Sequence, residues 1–197
     1  MGKTKYKQKI EELFKKSPIV SNASMAMIVN HKEKKKGYTK RMINYLIKKG
    51  LIKRLTKGTY TVNNNNSLIV LSFQPAYLGL QDALSFYDIW EQETIPVIIT
   101  SRNVRSGIRN ILGGNVLIRT INKKYLFGIE YQQQENIALP YSDIEKTFID
   151  MIYFKEKLTD EAKKNIIKKI NKKKLNSYLK AYPHRFRKMA LKLLNSR

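Results

Sequence analysis

Residues 38–62 read Tyr38-Thr39-Lys40-Arg41-Met42-Ile43-Asn44-Tyr45-Leu46-Ile47-Lys48-Lys49-Gly50-Leu51-Ile52-Lys53-Arg54-Leu55-Thr56-Lys57-Gly58-Thr59-Tyr60-Thr61-Val62. At about 100° per residue, Met42, Ile43, Leu46 and Ile47 fall on one side of a helix. Arg41, Asn44, Tyr45 and Lys48 fall on the other, with Lys40 at the flank. Gly50 stands where a left-handed glycine closes a helix. Leu51–Leu55 and Thr59–Val62 then read as two strands around a Thr56-Lys57-Gly58 turn.

Upstream, Tyr6, Ile10, Leu13 and Phe14 share a face of a helix expected from about Thr4 to Lys16, which Pro18 stops. Ile19 and Val20 are apolar, and Ser21 or Asn22 can cap a second helix carrying Ala23, Met25, Ala26, Met27, Ile28 and Val29. It fades near His31, and Lys32–Gly37 reads as a turn broken by Gly37. Three helices followed by a β-hairpin, within residues 1–62, is the plan of a winged helix-turn-helix. In that plan the third helix lies in the major groove of DNA. An Arg can pair with a guanine edge and an Asn with an adenine edge, each in bidentate fashion. Lys48 suits phosphate, because an ammonium is a point charge rather than a fork. The expected DNA-binding set is Thr39, Lys40, Arg41, Asn44, Tyr45 and Lys48 on the helix, with Lys53, Arg54 and Lys57 on the hairpin. Residue types alone do not separate base contacts from phosphate contacts.

Charge supports a polyanionic partner. The 197-residue chain carries a formal net charge of +24. Residues 1–62 hold +14 of it and residues 160–197 hold +11, while the stretch between is close to neutral at −1. Positive charge clustered in this way is the footprint of a nucleic-acid binder. A solvated Lys-rich surface is the plainer alternative, and 30 Lys against 9 Arg suit that too.

Asn63-Asn64-Asn65-Asn66 marks the expected boundary, since four asparagines bury little and favour turns. Residues 67–197 mix strands and helices. Leu68–Leu71 is a short apolar run, Pro96–Thr100, Val116–Ile118, Leu126–Ile129 and Ile137–Leu139 read as strands, and Pro75–Tyr87 reads as a helix. Ser142 with Glu145 forms a capping box opening a helix with Ile144, Phe148, Ile149, Ile152 and Tyr153. From about residue 159 to 197 a basic helical tail carries stripes of Ile166, Ile167 and Ile170, then Leu175, Tyr178 and Leu179, then Phe186, Met189, Ala190, Leu193 and Leu194. Thr159 with Ala162 caps its start. The fold class expected is α+β: an N-terminal winged helix-turn-helix, then a mixed α/β domain with a basic helical C-terminal tail.

The chain resembles the AbiEi family, the antitoxins of type IV abortive-infection toxin–antitoxin systems. Three stretches carry the likeness. Tyr45-Leu46-Ile47-Lys48-Lys49-Gly50-Leu51-Ile52-Lys53-Arg54-Leu55 with Gly58-Thr59-Tyr60 is similar to its helix-to-wing segment. Tyr77-Leu78-Gly79-Leu80-Gln81-Asp82-Ala83-Leu84 is similar to a segment in which the family has serine at the Gly79 and Asp82 positions. Ile137-Ala138-Leu139-Pro140 and Glu145-Lys146-Thr147-Phe148-Ile149-Asp150 are similar to a third, with Thr147 replacing a small apolar residue. The resemblance implies an autoregulating repressor that binds inverted repeats upstream of its operon. It also implies counteraction, direct or indirect, of a nucleotidyltransferase-like toxin.

The composition excludes much else. There is no cysteine, hence no disulfide, thiol catalysis or Cys-ligated metal. His31 and His184 have no metal-ligand spacing around them. Asp143, Glu145 and Asp150 lie within eight residues, but a helix cap and local ion pairs account for them, and no glycine-rich phosphate loop occurs. The expectation is therefore no enzyme, no cofactor and no metal. No apolar stretch is long enough to span a membrane and no secretory signal is apparent, so a cytoplasmic protein is expected, as a monomer or a weak dimer. A regulator without a toxin partner and a basic RNA-binding protein stay open beside the antitoxin reading. The tail could track DNA phosphates, dock an acidic partner, or simply cover a core.

Overall fold

The computed structural model describes residues 2–30, 37–134 and 136–195, and shows a mixed α+β protein. The turn expected at residues 32–36, and His31 before it, lie outside the described residues. The chain divides into two compact units, residues 1–72 with 110–114, and residues 73–109 with 115–197.

In the first unit, α1 (Gly2–Lys16) is followed by β1 (Val20–Ser21), α2 (Asn22–Asn30), α3 (Tyr38–Lys48), β2 (Lys53–Thr56) and β3 (Thr59–Thr61). The strands form a sheet in the order β1-β3-β2. β1 was not apparent in the sequence, because two residues show no period. Tertiary pairing creates it: Val20 lies opposite Tyr60, and the Thr61 hydroxyl donates to the Pro18 carbonyl at 2.8 Å. Ser21 is the cap residue of α2, its Oγ accepting from Ser24 N at 3.0 Å. Ile10, Phe14, Val20, Met25, Val29, Ile52 and Tyr60 form one buried cluster with the apolar side of α3.

The apolar run Leu68–Leu71 lies in a 3-10 helix, Asn66–Phe73. Leu68, Ile69 and Val70 are all buried there. A short run buried on every side has no periodicity by which to choose helix or strand.

The second unit holds most of a six-stranded sheet of order β6-β7-β5-β4-β9-β8, all but the β6–β7 turn at residues 110–114. Its strands are β4 (Ala76–Leu78), β5 (Val97–Thr100), β6 (Gly107–Ile111), β7 (Gly114–Thr120), β8 (Ile129–Gln134) and β9 (Ile137–Ser142). β4 pairs antiparallel with β5 and parallel with β9, and β5 runs parallel to β7. The expected helix 75–87 is therefore two elements, β4 and then α4 (Leu80–Phe86). Gly79 separates them, where a Cβ would come within 2.7 Å of Ile99 Cδ1. A side chain here would require the Ile99 side chain to shift. Leu126–Gly128 is not strand, and β8 begins at Ile129.

Helix α5 (Ile144–Tyr153) is buried from Glu145 to Ile152. Its cap is Asp143 rather than Ser142: the Asp143 carboxylate accepts from Lys146 N at 2.7 Å. Ser142 Oγ instead lies 2.7 Å from Thr147 Oγ1. The tail is three helices, α6 (Asp160–Lys169), α7 (Lys172–Leu179) and α8 (His184–Asn195). Ala162, Ile166, Leu175, Leu179, Tyr182, Ala190 and Leu194 join the α4, β5 and α5 core. Tyr182 stacks on Tyr125 at 4.2 Å and on Phe186 at 4.7 Å, which fastens the α7–α8 turn down.

Inside this core Lys146 and Asp150, one helical turn apart, form an ion pair whose side chains are fully buried. Tyr77 Oη donates to the second Asp150 oxygen at 2.7 Å. The Lys146 ammonium also lies 5.3 Å from the Tyr77 ring and 5.4 Å from that of Phe127. Burial pushes the Asp150 carboxyl up and the Lys146 ammonium down, and each charge opposes the other's shift. Asp150→Ala strands a buried ammonium and is expected to destabilise by ~3–5 kcal/mol in urea denaturation. Tyr77→Phe, Lys146→Met and Asp150→Leu together are expected to recover most of that loss, because no polar group is then left unpartnered.

Candidate nucleic-acid interface

The first unit presents the polar side of α3 outward. Lys40, Arg41, Asn44, Tyr45 and Lys48 are exposed, and Thr39 is half-buried in the first turn. Met42, Ile43 and Leu46 are buried, and Ile47 packs against the same cluster. Arg41, Asn44, Tyr45 and Lys48 occur at i, i+3, i+4 and i+7, so they form one stripe along the helix axis. Tyr45 keeps 43% of its surface in water, so its ring and hydroxyl stand open on this face.

Both ends of this helix are set by glycine. Gly37 precedes it at φ +89°. At the other end Gly50 N–H donates to Ile47 O at 2.9 Å and Leu51 N–H to Leu46 O at 3.0 Å. These two bonds make a Schellman closure, with Gly50 at φ +68°. The closure reverses the chain and drops Ile52 into the core and Lys53 onto β2.

Lys53 lies opposite Thr61 and Arg54 opposite Tyr60, and the register then shifts so that Thr56 meets Thr59. The shift is a bulge at Leu55, whose side chain is buried. Lys57 and Gly58 make the tip, with Gly58 at φ +96°. Lys57 is exposed. Arg54 is exposed as well, with its Nε donating to Thr56 O at 3.2 Å. Lys53 differs: it is half-buried and its ammonium donates to the Asn64 side chain. Nothing in the sequence announces that contact, which joins side chains eleven residues apart. The structure thus brings six residues onto α3 and three onto the hairpin, with Thr39 and Lys53 half-buried and the other seven exposed.

In the second unit the carboxylates that could suggest metal chemistry are committed elsewhere. Asp143 caps α5, Glu145 Oε1 accepts from Asn171 N at 2.7 Å, and Asp150 serves Lys146 and Tyr77. Among the described residues no group of three or more His, Asp or Glu side chains is placed to hold a metal ion. No described helix is long and apolar enough to cross a membrane.

No protein-family model matches the chain, and no curated protein does so. The crystal structure of the RV2827C protein from Mycobacterium tuberculosis matches it with a TM-score of 0.63 and 11% sequence identity, over 98% of this chain and 78% of that one. A likeness at that identity shows a shared fold and nothing finer.

Gly50→Ala forces a Cβ into left-handed backbone and is expected to cost about 1–2 kcal/mol. The loss should appear as faster amide exchange in α3 and β2, with Gly50→Asn less affected because Asn tolerates that region.

Proposed function

We propose that the chain is a DNA-binding transcriptional repressor whose first unit is a winged helix-turn-helix, with α3 as the recognition helix and the β2–β3 hairpin as the wing. The observation that carries this reading is the stripe Arg41, Asn44, Tyr45 and Lys48, exposed on a helix whose opposite side is core. An α-helix fits the major groove, and this one offers a fork, an amide, a phenol and a point charge in a row. Lys57, beyond a glycine turn, is suited to a phosphate flanking the groove. The net +14 of residues 1–62 supplies the sequence-independent attraction to the backbone.

The AbiEi resemblance extends this proposal to an autoregulating antitoxin that binds inverted repeats ahead of its operon and counteracts a nucleotidyltransferase-like toxin. The three similar stretches include β4–α4 and α5, the elements that hold the Tyr77, Lys146 and Asp150 cluster. In this reading those residues hold the second unit together rather than act on a substrate.

The deciding experiment is a titration of fluorescent DNA from upstream of the protein's own gene, against scrambled duplex and structured RNA, at two salt concentrations. Tighter binding to the upstream DNA supports the regulator. Preference for RNA would turn the assignment to an RNA-binding protein. Arg41→Ala and Asn44→Ala should each reduce discrimination between operator and scrambled duplex by ~1–3 kcal/mol. Lys57→Ala should weaken both duplexes alike and lower the salt slope by about 1. Unchanged selectivity in Arg41→Ala would refute the groove assignment.

A further inference from the structure

The second unit contains a feature that DNA binding does not use. A recess of about 750 Å³ opens among α5, α6 and α8, lined by Phe148, Ile152, Leu158, Phe186, Met189 and Leu193 with Lys155, Glu156, Asp160 and Lys163. A second recess of about 570 Å³ shares Asp160 and Lys163 with it and continues along α6 past Lys164, Ile167 and Lys168 to Leu194. The α8 stripe is wider than the face it buries. Ala190 and Leu194 are buried, whereas Met189 and Leu193 keep 45% and 40% of their surface exposed at the mouth of the first recess.

The charge around these recesses has one sign in excess. From Ala162 to Arg197 the chain contains 13 Lys and Arg and no Asp or Glu. Of the two acids at the recesses, Glu156 is held by Arg119 at 2.8 Å, and Asp160 stands in the first turn of α6, where the helix dipole favours a carboxylate. Lys155, Lys164 and Lys168 are exposed and form a cationic rim around a hydrocarbon floor.

We infer that this double recess docks an acidic amphipathic helix of a partner protein, its apolar residues seated on the floor and its carboxylates on the lysine rim. An amphipathic helix in a groove uses anchors at i, i+3, i+4 and i+7, and two adjoining recesses suit successive anchors. Three other occupants fit less well. A nucleic acid needs a track of cations and not a hydrocarbon floor. A second copy would bring the same basic face against this one. A bilayer takes up a protruding amphipathic helix, whereas this apolar surface is sunk among three helices. The inference stands apart from the DNA reading, which concerns the first unit.

The test uses the full-length protein and a fluorescent synthetic peptide of about five helical turns, with leucines on one face and glutamates on the rest. Three comparisons accompany it: the same peptide with lysine for glutamate, vesicles of phosphatidylglycerol and phosphatidylcholine, and sedimentation of the protein alone. The acidic peptide is expected to bind, in a salt-sensitive manner, and the lysine peptide not to bind. Met189→Glu, at an exposed position, should weaken the acidic peptide about tenfold or more. Lys164→Glu with Lys168→Glu should weaken it similarly while leaving the floor intact. Upstream-DNA binding should be unaltered in all these variants. Acidic-peptide affinity unchanged in both the floor and the rim variants would overturn the proposal. So would vesicle binding without acidic-peptide binding, or a dimer of the free protein that Met189→Glu dissociates.

Discussion

A helix that must be apolar on one side only is the constraint around which the first unit is organised. Met42, Ile43 and Leu46 cannot be buried without turning Arg41, Asn44, Tyr45 and Lys48 to the outside, because the 3.6-residue period fixes the angle between them. The helix is also stopped at a definite residue. With Gly50 in left-handed backbone, Leu51 stays exposed and Ile52 reaches the same core. The hairpin therefore leaves the helix at a set point, and Lys57 is carried on a short, bulged arm rather than a loose loop.

The second unit solves a different problem. Its central strands, β4 and β5, are three and four residues long and buried throughout. Strands covered on both faces need helices over them, and α4, α5 and the basic tail contribute to the shared core. The tail's lysines do not keep it in solution, because each of its helices turns Leu, Ile, Tyr or Ala inward. Within that apolar core, Lys146, Asp150 and Tyr77 satisfy one another. An ion pair removed from water contributes little net stability, but it is intolerant of any partial change.

Two stretches that the sequence left unassigned or misassigned share a cause. Leu68–Leu71 is an apolar run of no fixed period and is a 3-10 helix. The stretch 75–87 looks like one helix and is a strand joined to a helix at Gly79. Each of these apolar runs is buried on more than one side, so the pattern carries no period to read. The α5 cap slipped by one residue for another reason. Ser142 and Asp143 are both good cap residues, and only packing on β4 and Thr147 decides that Ser142 turns away. On α3 the period is clean, and every side assigned from it is the side observed. The nine residues named from the sequence lie on α3 and the hairpin, while the grip of Asn64 on Lys53 was invisible, being a contact between distant side chains.

Sequence alone determined the periodic elements: the two-faced α3, its glycine stop, the hairpin turn, the Thr159 cap that opens the helical tail and the uneven distribution of charge. These depend on neighbours within a turn or two, so local residue order suffices. Tertiary structure decided the rest. It made β1 from two residues by pairing them with β3, joined Lys146 and Asp150 to Tyr77 across 73 residues, and chose which of α8's apolar side chains reach the core. A side chain's partner is set by whatever the folded chain brings within a few ångströms, and no local pattern encodes that distance.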